Sequence, residues 1–162
     1  MSTNDIVQLI SKLNPNKATG SDGISPQMLL LCGDTAVSPL KIIFRSILTT
    51  GVYPDVWKMA NVIPIHKKGD KQIVKNYRPI SLLPICGKFF EKLVFNHLYA
   101  FLTNNNLITK NQSGFRPGDS TSNQLVDLID TIHQSFDASP TLEVRAIFLD
   151  SSKAFDKVCM KA

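Results

Sequence analysis

The residues of this 162-residue chain best suited to chemistry lie near its C-terminal end. An apolar, β-branched run, Val144-Arg145-Ala146-Ile147-Phe148-Leu149, leads into Asp150 and then Ser151-Ser152-Lys153-Ala154-Phe155-Asp156. Alternation along a strand would set Val144, Ala146, Phe148 and Asp150 on one face, so a half-buried strand is predicted with a carboxylate at its exit. A carboxylate there, followed by a tight turn into a helix, is placed to hold a hard cation over a cleft. The plainer reading is a helix N-cap, in which Asp150 accepts a backbone N–H and no metal is involved.

A second candidate is a cluster of charge. From Lys58 to Lys92 there are eight Lys or Arg against Asp70 and Glu91, a net of +6 in a chain of net +5, so the remainder carries −1. Such a local excess suits a phosphate-bearing partner, with a solvated basic face as the alternative. Cys32, Cys86 and Cys159 are widely spaced with no C-x-x-C, and His66, His97 and His133 lack ligand spacing. Both patterns fit an intracellular protein with reduced thiols better than a disulfide frame or a zinc site. No unbroken apolar run approaches the roughly 20 residues of a membrane span, and the N-terminus has no signal-peptide pattern, so no membrane partner is expected.

Elements must position these groups. Apolar spacing predicts helices over residues 5–13, from an Asp34 cap to Gly51, from Pro84 to Thr103, and after Thr121, where Gln124 gives capping-box spacing. Their stripes, including Phe89, Phe90, Leu93, Val94, Leu98 and Phe101 in the third and Leu125, Leu128, Ile129, Ile132 and Phe136 in the fourth, are expected to face a core. Ala60–His66 reads as a strand, Gly69-Asp70 as a turn, and Tyr77–Leu83 as extended chain interrupted by Pro79. No repeat or linker divides the chain, so a single unit is expected.

Four segments, in order, resemble the reverse transcriptase domain of non-LTR (LINE-type) retrotransposons. They are Asn16-Lys17-Ala18-Thr19-Gly20-Ser21-Asp22-Gly23-Ile24; Pro64-Ile65-His66-Lys67-Lys68-Gly69-Asp70 with Asn76-Tyr77-Arg78-Pro79-Ile80-Ser81-Leu82-Leu83; Gln112-Ser113-Gly114-Phe115-Arg116-Pro117-Gly118 with Ser120-Thr121; and Phe148-Leu149-Asp150-Ser151-Ser152-Lys153-Ala154-Phe155-Asp156-Lys157-Val158. The resemblance implies a helix-rich α+β fold, part of a right hand with an incomplete sheet. Residues 1–141 would form fingers and fingers/palm helices, and residues 142–162 the first palm strand and turn.

It also implies roles. Asp150 would be catalytic and, with the Ser151 carbonyl, a ligand of Mg²⁺, which activates the primer hydroxyl and stabilises the transferred phosphoryl group. Lys67 and Arg78 would hold the incoming triphosphate, Phe155 would crowd the sugar 2′-OH, and Lys68, Phe115 and Arg116 would lie along nucleic acid. The implied partners are an RNA template, a DNA primer and deoxynucleoside triphosphates.

The chain departs from the family pattern in having no Asp-Asp pair. One Asp and one carbonyl do not satisfy the near-octahedral oxygen demand of two magnesium ions. Residues 1–162 are therefore expected not to polymerise DNA alone, and the apolar strand before Asp150 is expected to leave an open edge that favours self-association. The alternative is a repurposed module that binds nucleic acid without catalysis.

Overall fold

Local capping accounts for the first elements. The Ser2 hydroxyl accepts the Asp5 amide at 3.2 Å, and the Asp5 carboxylate accepts the Ser2 amide at 2.6 Å. This reciprocal cap starts α1 (Thr3–Ser11). Ser25 accepts the Met28 amide, and Pro26 occupies the first turn of α2 (Pro26–Cys32). The computed structural model, which describes residues 2–138 and 143–150, divides into two compact units at Leu107 and Ile108.

In the first unit, α2 passes through a 3-10 turn (Gly33–Ala36) into α3 (Val37–Thr50), which ends at Gly51. Asp34 thus sits inside the 3-10 turn, and the predicted Asp34 N-cap does not form: Ala36 holds the N-cap position of α3. The whole stretch Pro26–Thr50 is long and apolar enough to cross a membrane by length and composition, which a search for unbroken apolar runs does not register. Its Val37, Leu40, Phe44 and Ile47 face is buried in the core of the unit.

Short α4 (Asp55–Lys58) follows, then β1 (Asn61–His66), a loop with a 3-10 turn (Val74–Asn76), β2 (Tyr77–Leu82) and α5 (Ile85–Asn104). The buried side chains are Ile6 and Ile10 of α1, Leu29 of α2, the α3 face, Trp57 of α4, and Ile85, Cys86, Phe89, Phe90 and Leu93 of α5. Phe44 is fully enclosed, 5.6 Å from Phe90 and 6.1 Å from Trp57 between ring centroids. Tyr53 edges onto Trp57 and Phe90 and donates its hydroxyl to Glu91 Oε1 at 3.2 Å. Offset aromatic pairs of this kind add about 0.5–1.5 kcal/mol each beyond the area they bury.

The sheet is one antiparallel ribbon, β1 with β2, in register Ile65↔Arg78, Pro64↔Pro79 and Ile63↔Ile80. The Lys67 amide donates to the Asn76 carbonyl at 2.8 Å, which makes 67/76 a hydrogen-bonded rung. Alternation then puts 65/78 and 63/80 on hydrogen-bonded rungs and 64/79 between them. Pro64 and Pro79 therefore sit where an N–H would point outward, so neither removes a bond from the ladder. That is why β2 runs through Pro79 rather than being interrupted there.

The second unit contains α6 (Thr121–Asp137). Its cap is Ser120, whose hydroxyl accepts the Asn123 amide at 3.2 Å, not the predicted Thr121. No residue of α6 is buried; Leu125, Leu128, Ile129 and Phe136 are exposed, against the expected core-facing stripe. The second half of α5 behaves alike, with Val94, Leu98 and Phe101 exposed. Residues 143–150 are not a strand, and Ile147, Phe148 and Leu149 are 84–94% exposed. A strand needs a neighbour for its backbone groups, and among the described residues β1 and β2 pair only with each other. The predicted half-buried strand is thereby corrected.

Candidate functional site

The basic hairpin is built by its loop. Gly69 has φ +81°, which an L side chain rarely adopts, and a Cβ there would meet Asn76 Nδ2 at 2.8 Å. Asn76 donates from that nitrogen to the Asp70 carbonyl (2.8 Å), and Asp70 Oδ1 accepts the Gln72 amide (2.9 Å). The Tyr77 hydroxyl donates to the Lys71 carbonyl at 2.9 Å, and the His66 and Tyr77 rings meet edge to face at 5.3 Å. Side chain to backbone bonds thus close the 67–76 loop locally, without support from a neighbouring element.

From this scaffold Lys67, Lys68, Lys71, Lys75 and Arg78 all stand exposed. Ile65 and Arg78 share a rung, and Lys67 continues the alternation onto the same face of the ribbon. Lys67 and Arg78 are then diagonal neighbours, a spacing of about 7–8 Å between Cα atoms. Among the described residues the recorded ion pairs are Lys58–Asp55 and Arg145–Glu143, so neither Lys67 nor Arg78 is neutralised. The same face carries Ile63, Ile65 and Ile80, each 42–51% exposed. Two unpaired cations above an apolar strip can grip phosphate oxygens while the strip meets a less polar portion of the same ligand.

Residues of the second unit form a separate site. Phe115 lies at φ +61° with its side chain 99% exposed. A bulky residue in that region is strained by about 1–3 kcal/mol. The strain is held by Gln112 Nε2 donating to the Gly114 carbonyl (3.1 Å) and Arg116 donating to the Thr109 carbonyl (3.2 Å). Arg116 thus spends one guanidinium donor on its own loop. Beside it, a groove of about 520 Å³ is lined by residues including Ser113, Phe115, Asp119, Thr121 and Leu125. The Asp119 carboxyl is held below its usual value first by the Ser120 amide and then by the Ser113 hydroxyl. It remains charged beside the α6 N-terminus, where the helix dipole favours an anion.

Asp150 is exposed. Ser151 and Phe155 lie outside the described residues. Among the described residues no three His, Cys, Asp or Glu side chains group closely enough to hold a metal ion, so these residues do not by themselves fit a divalent centre. Sequence reasoning gave Lys67, Lys68 and Arg78 individual roles, counted Lys71 and Lys75 only within the basic segment 58–92, and assigned no supporting role to Gly69, Asn76 or Tyr77. The signal for them was the Gly-Asp turn followed by Asn-Tyr at the start of β2.

The family described as "Reverse transcriptase (RNA-dependent DNA polymerase)" matches residues 65–162, more than half of the chain. The chain belongs to the reverse transcriptase family. The match takes in Lys67, Arg78, Phe115 and Asp150. Similar proteins include the RNA-directed DNA polymerase from mobile element jockey of Drosophila melanogaster, 37% identical over 95% of the chain. The probable RNA-directed DNA polymerase from transposon BS of the same fly is 36% identical over 95%, and that from transposon X-element is 30% identical over 95%. The chain spans 17% of the length of each of these curated relatives. By ancestry, then, the chain is related to the RNA-directed DNA polymerases of non-LTR retrotransposons.

Proposed function

We propose that this reverse transcriptase portion supplies the fingers of an RNA-directed DNA polymerase, with its basic hairpin holding the triphosphate of an incoming deoxynucleotide. The observation that carries the reading is the placement of Lys67 and Arg78, exposed and without a carboxylate partner among the described residues, on one face of a locally braced ribbon. Arg78 forks onto two phosphate oxygens, and Lys67 adds a point charge. Lys68 extends the positive surface toward the template–primer strands. In the second unit the strained, exposed Phe115 ring offers a stacking platform for a template base, flanked by Arg116.

Asp150, with the Ser151 carbonyl, contributes to a divalent-ion site for Mg²⁺ whose other ligands lie outside the described residues. Phe155 limits space at the sugar 2′ position. This assignment follows the four ordered motifs, with residues 1–141 as fingers and 142–162 as the start of the palm. Residues 1–162 alone do not extend a primer, whereas a longer chain carrying an Asp-Asp pair does, and Asp150→Ala abolishes that extension. The apolar, exposed run 144–149 drives self-association of the isolated chain, seen as concentration-dependent sedimentation.

The deciding experiment is equilibrium binding of dTTP to the chain without metal, across a salt series. Binding should weaken with salt and fall at least tenfold in Lys67→Glu and in Arg78→Glu, since hydrogen bonds to charged groups are worth about 1.5–3 kcal/mol. Unchanged affinity in both variants refutes the hairpin assignment.

A further inference from the structure

We propose that Gly20 and Ser21 are positioning residues that clamp the root of the β1–β2 hairpin and so aim Lys67 and Arg78. The inference rests on the reading of that hairpin as the triphosphate-holding element.

The ribbon is exposed along nearly all of both strands. Two strands alone are marginal in water and carry no packed layer to fix their direction. The direction must be set where the strands leave the core. Met59 precedes β1, and Leu83-Pro84 follow β2. The two roots meet adjacent residues of the turn-rich segment before α2, Met59 at Ser21 and Leu83-Pro84 at Gly20. The Ser21 hydroxyl donates to the Met59 carbonyl at 3.1 Å, across 38 positions of sequence. A Cβ on Gly20 would lie 2.5 Å from the Pro84 nitrogen, 2.6 Å from its Cα and 2.8 Å from the Leu83 carbonyl carbon. All three atoms are backbone, so they cannot turn aside as a flexible side chain would. Gly20 is therefore required by close approach to the exit of β2, while Ser21 ties down the entrance to β1.

The clamp is itself anchored. The Gly23 amide donates to the Gly20 carbonyl (3.4 Å) and the Ile24 amide to Asp22 Oδ1 (3.2 Å). Ile24 packs against the core, and Pro26 at the start of α2 is fully enclosed. On the other side Pro84 is fully enclosed too and leads into the buried first turns of α5. A rigid path thus runs from the core through Ile24 and Gly20-Ser21 to both strands. Six residues of strand separate that clamp from the loop, a lever of about 20 Å at 3.4 Å per residue. A tilt of about 10° at the root displaces the tip by about 3–4 Å, beyond hydrogen-bond tolerance.

Amide hydrogen exchange on the ladder amides of Ile63, Ile65, Lys67, Arg78 and Ile80, read beside those of α3, tests the clamp, with dTTP binding measured on the same samples. Ser21→Ala should speed ladder exchange by about tenfold with α3 unchanged, and should weaken dTTP binding by a similar factor; Ser21→Thr, which keeps the hydroxyl, should restore both. Gly20→Ala should exceed Ser21→Ala, and if it fails to fold the serine pair still decides. Ladder exchange that stays at the wild-type rate in Ser21→Ala, or that rises only in step with α3, overturns the proposal. Should wild type not bind dTTP at all, the triphosphate reading falls, while the exchange comparison still decides whether Gly20 and Ser21 hold the hairpin.

Discussion

Helices α3 and α6 carry equally clear apolar stripes and meet opposite ends. In α3 the stripe Val37, Leu40, Phe44 and Ile47 is buried among α1, α4 and α5 side chains. In α6 the stripe Leu125, Leu128, Ile129 and Phe136 stands exposed, and nothing on the helix is buried. Amphipathic spacing reports which face of a helix gains from cover; it does not report what supplies the cover. The first unit contains its own partners, with Ile6 and Ile10 of α1, Phe44 of α3, Trp57 of α4 and Phe89, Phe90 and Leu93 of α5 in one buried cluster. The second unit shows a helix held by its cap and its own backbone ladder rather than by a core.

That contrast can be broken most directly by truncation. Phe44→Ala, at a fully enclosed position between Phe90 and Trp57, should cost about 3–5 kcal/mol in a urea titration followed by tryptophan fluorescence. Leu128→Ala, followed in urea by circular dichroism because the one tryptophan lies in the first unit, should shift stability by no more than about 0.5 kcal/mol, as for a surface change. A large loss at Leu128 would mean that the α6 stripe is covered in solution. Next in size, Ser120→Ala should remove about 1 kcal/mol from α6, read as lost helicity by circular dichroism, while Thr121→Ala leaves helicity near wild type. Equal effects of the two would return the cap to Thr121.

A further effect lies at alkaline pH and belongs to the first unit alone. Burial, with the Asp22 charge nearby, pushes the Cys86 thiol from its ordinary 9.0 up to about 11. Burial first, and Glu91 second, push the Tyr53 hydroxyl from 10.0 up to about 12. Both groups are more readily deprotonated in the unfolded chain, so their contribution is complete below pH 9 and is lost as pH rises to about 12. Denaturation midpoints measured from pH 8 to 12 should fall for the first unit, and Cys86→Ala should flatten the part between about 9 and 11. A slope unaltered by that substitution would remove Cys86 from the explanation.

Much of this molecule was legible in the residues. Gly51 ends α3, Pro84 starts α5 within a residue of expectation, and Asn61–His66 is the strand that Ala60–His66 foretold. The ordered motifs led to the family that the comparisons then showed. Helix α2 was overlooked although Ser25-Pro26 gave a cap and a first-turn proline, because seven residues are too short to display a stripe. Asp34 misled because a 3-10 turn follows α2 there, and α3 starts directly out of that turn with Ala36 at its N-cap position. The common face of Lys67 and Arg78 required the hairpin register, which the 67–76 loop sets through Asn76 and Tyr77, not through any periodicity. The run 144–149 is apolar as a buried strand should be, but composition cannot supply a neighbour.

The opposed prolines of the ribbon bear on how such a segment survives at high concentration. Pro64 and Pro79 occupy one rung and face away from each other, so each outer margin lacks a donor at its middle. An incoming strand on either flank would find the recruiting pattern interrupted at the same height, and the ring would fill the space it needs. Fibre-like stacking of this hairpin is stopped in both directions by two residues that leave its own six rungs intact. The prolines act as gatekeepers, and a ribbon exposed along most of both strands is thereby kept from seeding its own aggregate.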